Sequence, residues 1–136
     1  MKVEEYPFIV CRTEKNSDIV FIKFPNQLKI DLAVAREIVA TRLKFANEKK
    51  HYLILDISNI RQISSKAKAY LQQPDAGLKN ILGAVFVATN PVSALIASIF
   101  LKTPKQFEAR LFSDEEEAFD CICDYREMIR CKFEGP

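Results

Sequence analysis

The sequence predicts an α/β fold, a single domain over residues 1–136 with a mixed five-stranded sheet and about four helices. Three observations predict it. Tyr52–Ile57 and Leu82–Ala88 are short runs that are apolar almost throughout, as in strands buried on both faces. From residue 31 onward such runs alternate with stretches that carry helix-start signals. Hydrophobic residues make up 49% of the 136-residue chain, enough for one domain to bury a core.

The elements follow in order. Tyr6–Cys11 and Ile19–Phe24 favour strands, and Asn16, Ser17 and Asp18 between them supply turn chemistry, so the pair reads as an antiparallel hairpin. Pro25 and Asn26 end the second strand. Asp31 is placed to cap a helix running to about Asn47, with Val34, Ala35, Ile38, Val39, Phe45 and Ala46 on one broad face. Tyr52–Ile57 closes on Asp56; a serine-bearing segment, 59–65, then opens a short helix that ends near Pro74. Leu82–Ala88 stops at Thr89, and Asn90 followed by Pro91 starts a helix, Val92–Leu101, with Pro104 after its end. Glu108–Phe112 is a short strand. Ser113 is placed to cap a last helix with an acidic first turn, Asp114 to Glu117, and a stripe of Ala118, Ile122, Tyr125 and Ile129. This β-β-α-β-α-β-α-β-α order makes the last three strands parallel.

Composition excludes several classes. A net charge of +2 with interspersed signs argues against a nucleic-acid binder working through a basic face. The start, MKVEEYPF, lacks the basic and apolar regions of a secretory signal. The longest apolar stretch, Val92–Leu101, is about half the roughly 20 residues a membrane span needs. A cytoplasmic protein without membrane insertion is therefore expected, with Cys11, Cys121, Cys123 and Cys131 as reduced thiols. Cys121 and Cys123 point about 200° apart on a helix, and the lone His51 lies far from both, so no metal centre is expected. With Gly77, Gly83 and Gly135 as the only glycines, no phosphate-binding glycine loop can form, and no cofactor is implied. One histidine with no evident nucleophile, and carboxylates that run consecutively along one helical turn, argue against an enzyme.

Residues 55–67, L-D-I-S-N-I-R-Q-I-S-S-K-A, resemble the serine loop of the STAS domains of bacterial anti-sigma-factor antagonists, the SpoIIAA-like fold. That loop reads roughly L-D-[LIF]-S-x-[VI]-x-x-[IM]-D-S-S-G-[LV], and the first serine after its final aspartate accepts phosphate. The resemblance places Ser65 at the phosphoacceptor position, with Ser64 in place of the aspartate, Lys66 in place of the second serine and Ala67 in place of the glycine. The ending L-F-S-D-E-E-E-A-F-D resembles the closing strand and helix of a SpoIIAA-like subgroup of uncharacterised bacterial proteins, as does the Asn90-Pro91-Val92-Ser93 helix start. The resemblance implies a regulatory, protein-binding role.

In a parallel sheet the loops after the carboxyl ends of the strands share one edge. Two groups of candidates follow. Asp56, Ser58, Ser64, Ser65 and Lys66 form the candidate phosphoacceptor and partner loop, and Thr89, Asn90 and Ser93 a candidate edge for an anion or ligand. Helix capping alone also accounts for Ser65, Asn90 and Ser113. The helix 92–101 is apolar nearly all round, which calls for a second covering surface. A protein partner, including a second copy of the chain in a homodimer, is one reading. The alternative is a carrier of a small apolar molecule or lipid in a pocket beside that helix, by likeness to the lipid-carrying CRAL-TRIO domains.

Overall fold

Tyr52–Ile57, the run expected to be buried on both faces, lies at the centre of the sheet. The structure, a computed structural model, describes residues 2–14, 17–103, 105 and 107–134, with side chains through residue 129. Lys15, Asn16, Pro104, Gly135 and the side chain of Cys131 lie outside the described residues. The strands are β1 (Lys2–Glu5), β2 (Val10–Thr13), β3 (Ile19–Lys23), β4 (Leu28–Ile30), β5 (His51–Asp56), β6 (Ile60–Ile63), β7 (Ile81–Val87) and β8 (Ala109–Phe112). The helices are α1 (Leu32–Phe45), α2 (Ser65–Leu71), α3 (Pro91–Leu101) and α4 (Glu115–Glu134).

The main sheet has six strands in the order β1-β2-β3-β5-β7-β8. β1 and β2, and β2 and β3, pair antiparallel, while β3, β5, β7 and β8 run parallel. The mixed α/β architecture with four helices is as the sequence predicts, with two additions. β1 is a sixth strand at the edge. Its residues Lys-Val-Glu-Glu are all exposed, so no apolar alternation announces it. β4 and β6 form a separate parallel pair, with Leu28 opposite Ile60 and Ile30 opposite Ile63. At three and four residues they are too short to show a period. The first hairpin strand also starts later than expected: Tyr6 and Phe8 precede β2 and pack half-buried against the core.

The sheet separates two layers. On one face α1, α2 and α3 cover Cys11, Val20, Ile22, Leu53 and Phe86. On the other, α4 alone covers Ile19, Tyr52, Ile54, Val85 and Val87 through Ala118 and Ile122. Gly83 permits that closeness, since a Cβ there would stand 2.7 Å from the Tyr125 ring. α1 begins where Asp31 accepts a hydrogen bond from the Val34 amide at 2.9 Å, and it buries Ala35, Ile38, Val39, Arg42 and Phe45. Spaced by three and four, these residues form one inward stripe.

Candidate functional site

The carboxyl edge of the sheet draws five of the candidate residues into one hydrogen-bonded network. Asp56, the last residue of β5, accepts from the Ser58 amide at 3.1 Å. The Ser58 hydroxyl accepts from the Thr89 amide at 3.2 Å, and the Asn90 side-chain amide donates to the Ser58 carbonyl at 2.7 Å. The Asn90 oxygen then accepts from the Ser93 amide at 2.9 Å, capping α3 with Pro91 at its first position. Ser93 turns inward. It is fully buried and its hydroxyl donates to the Asn90 carbonyl at 3.0 Å, so of this group Thr89 is the one left exposed. The network fixes how β5 hands the chain to β6 and β7 to α3.

Ser64, Ser65 and Lys66 stand in a separate corner, tied to β4. The Ser64 amide donates to the Ile30 carbonyl at 2.9 Å, and its hydroxyl accepts from the Ala67 amide at 3.1 Å. Ser64 is therefore the cap of α2, and Ser65, expected to be the capping residue, is instead the first helical residue. A cap must keep extended backbone, and Ser64 does so, with φ −73° and ψ 160°. Ser65 and Lys66 are both exposed. A similar shift occurs at α4: the Asp114 carboxylate, rather than Ser113, accepts from the Glu116 amide at 2.9 Å.

The elements that lead into and pack against α2 carry several cations, some close to Ser65 in sequence and some not. Pairing of β4 with β6 sets Lys29 opposite Gln62, beside Arg61, directly before α2 with its Lys66 and Lys68. Arg36 of α1 lies over the Tyr70 ring of α2, 5.9 Å from its centroid. The ion pairs among the described residues involve Lys2, Lys23, Arg12, Arg110 and Arg126, and none of the corner's cations. Asp31, which follows β4, is committed to capping α1. Lys29 and Arg36 escape sequence reasoning because only the β4–β6 pairing sets Lys29 opposite Gln62, and only α1–α2 packing sets Arg36 over Tyr70.

A second polar cluster is buried. Arg42, 3% exposed, directs Nη1 to His51 Nε2 and to the Lys79 carbonyl, both at 2.9 Å. Its Nη2 donates to the carbonyls of Gly77 at 3.2 Å and Ala76 at 3.4 Å. His51 Nδ1 donates to the Lys49 carbonyl at 2.8 Å, which leaves Nε2 as the acceptor for Arg42. Burial lowers the arginine to about 10, still charged at neutral pH, and the histidine to about 4. Both ring nitrogens of His51 are thus engaged, and Cys11, buried nearby in the same face, is pushed up to about 12 by desolvation. These are not groups poised for proton transfer or nucleophilic attack. Among the described residues no three His, Cys, Asp or Glu side chains converge to hold a metal ion.

The apolar layer beneath α1–α3 is incompletely filled. In the row Val20–Leu53–Ala84–Ala109 across four adjacent strands, the last two side chains shrink to methyl groups. The next row, Ile22–Leu55–Phe86–Leu111, stays large. A cavity of about 100 Å³ remains there, bounded by Leu53, Ala84, Phe86, Ala109, Ile96 and Phe100. α3 contributes its inner side to this layer, while its outer side leaves Val92 51% and Leu95 67% exposed. Among the described residues no helix is long and apolar enough to cross a membrane.

No curated protein matches the chain. The sequence model of one family, described as a domain of unknown function (DUF7793), matches residues 13–126, from the end of β2 through more than half of α4; the chain belongs to that family.

Proposed function

We propose that this chain is a non-enzymatic, STAS-like interaction module that binds a protein partner through the corner made by β4, β6 and the start of α2, switched by phosphorylation of Ser65. The observation that carries this reading is that Lys29, Arg61 and Lys66 are exposed and form no ion pair among the described residues, Arg61 donating only to the neutral Gln27 side chain at 3.2 Å, on the elements that lead into an exposed serine with no capping duty. A partner that fits presents acidic side chains, because complementary charge speeds encounter and fixes orientation. Phosphate on Ser65 adds about two negative charges next to Lys66, which offsets the local field and repels an acidic partner. The STAS-like loop sequence around Asp56 and Ser65 supports the same assignment.

Self-association belongs to this reading as well. α3 carries no charged residue and exposes Val92 and Leu95, so a second copy of the chain is the expected cover for it. The free thiols Cys11, Cys121 and Cys123 fit a cytoplasmic setting.

The test is replacement of Ser65 with Ala and with Glu, followed by partner recovery from the protein's own cells. Ser65→Ala is expected to retain the partner, and Ser65→Glu to lose about tenfold or more in affinity. Equal recovery with both variants removes the switch.

A further inference from the structure

The carboxyl-edge network and the basic corner leave the cavity beneath α3 without a role. It stands apart from the partner-binding reading, since Lys29, Arg61, Ser65 and Lys66 do not line it. We propose that this cavity is a binding site for a small, neutral, apolar molecule, about the size of a single aromatic ring or a short alkyl group.

Three observations set that ligand class. The walls are apolar side chains from β3, β5, β7, β8 and the three covering helices, and an apolar cavity too poor in polar partners for water stays dry and takes up apolar guests. Size comes next. About 100 Å³ is somewhat less than the ~150 Å³ of an apolar cavity known to admit benzene, and well below the ~300–1,000 Å³ of sites for drug-sized ligands. A whole lipid chain does not fit this volume, which narrows the carrier reading to a much smaller guest. The third observation is charge. Arg42 and Lys105 reach the cavity, yet both already donate to groups of the chain itself. The guanidinium of Arg42 serves Ala76, Gly77 and Lys79 together with His51. Lys105 Nζ donates to the carbonyls of Phe100 at 2.8 Å and Thr103 at 2.6 Å. The other polar lining groups are Gln72 and Thr103, joined by a hydrogen bond of 2.6 Å between the ends of α2 and α3. Both lining cations are already engaged, so a neutral guest is favoured over a fatty acid.

The origin of the cavity supplies the control. Ala84 and Ala109 are directly opposed on β7 and β8, so Ala84→Leu places new carbons into the space without touching the corner around Ser65. The experiment is titration of benzene into the intact chain, followed by amide NMR and thermal unfolding. The expected result is saturable shifts at Ala84, Ile96, Phe100 and Ala109, a midpoint that rises with benzene concentration, and at least about a tenfold loss of affinity in Ala84→Leu. Should that variant not fold, Ala109→Val fills the same space from the adjoining strand, and the wild-type shift map stands by itself. No saturable shift, or shifts centred on Tyr125 and Met128 of α4, overturns the site. Tighter binding of decanoate than of benzene overturns the neutral-ligand assignment.

Discussion

Two regions of this molecule are rich in positive charge, and they use it in opposite ways. Arg42, near the start of β5, is buried and surrounded by carbonyl oxygens and His51. Lys29, Arg61 and Lys66, at the corner beyond the end of β5, are exposed and make no ion pair among the described residues. A buried cation persists only when every donor is matched, so Arg42 serves as a cross-link from α1 to the 76–79 loop and the first residue of β5. Exposed cations outside ion pairs contribute little to folding and remain available to another molecule. Charge alone does not mark a site; accessible charge outside ion pairs does.

The largest expected effects fall on the buried cluster. Arg42→Met leaves three carbonyls and His51 without their donor and should lower stability by about 3 kcal/mol in urea unfolding. A loss near zero would mean that the cross-link is not structural. The same cluster sets a pH dependence. Burial holds His51 at about 4 in the folded chain against 6.5 when unfolded, so between these values the unfolded state binds more protons. Stability is therefore full above about pH 6.5 and falls by about 3 kcal/mol as pH drops through that window toward 4. His51→Gln should flatten this slope in unfolding curves taken at about pH 4.5, within that window, and about pH 7, above it.

Smaller effects separate the capping residues from the exposed corner. Asn90→Ala removes both the α3 cap and the bond to the Ser58 carbonyl, with an expected cost of about 2 kcal/mol. Ser64→Ala removes the α2 cap and should cost about 1 kcal/mol, whereas Ser65→Ala should stay within about 0.5 kcal/mol of wild type. Reversal of that order in thermal unfolding would return the capping role to Ser65 and weaken its availability for modification. The smallest change in stability is expected for the Arg61→Glu, Lys66→Glu double variant, although that variant should lose the partner.

The sequence made the larger strands and all four helices legible because each carries a strong local signal. β5 and β7 are continuous apolar runs, and Asp31 and Asn90 cap the helices they were expected to cap. What it hid depends on distant residues meeting. β4 and β6 are too short to show a period, so neither they nor the pairing that sets Lys29 opposite Gln62 could be read locally. The adjacent serines 64 and 65 both satisfy the composition of a cap, and only the backbone turn at Ser64 decides between them. Arg42 falls on the apolar stripe of α1, where a charged residue gives no hint of burial until His51 and the carbonyls of 76–79 close around it. The cavity, likewise, is invisible without the register that sets Ala84 opposite Ala109.

The exposed corner is the proposed seat of a protein partner. Native mass spectrometry of the wild-type chain and of the Arg61→Glu, Lys66→Glu variant, each purified from the protein's own cells, tests this in one comparison. The account predicts a complex with a protein partner for the wild type, its absence for the folded variant, and any phosphoryl increment on the uncomplexed wild-type chain mapping to Ser65. The same bound mass in both samples, or no protein partner with either, contradicts it.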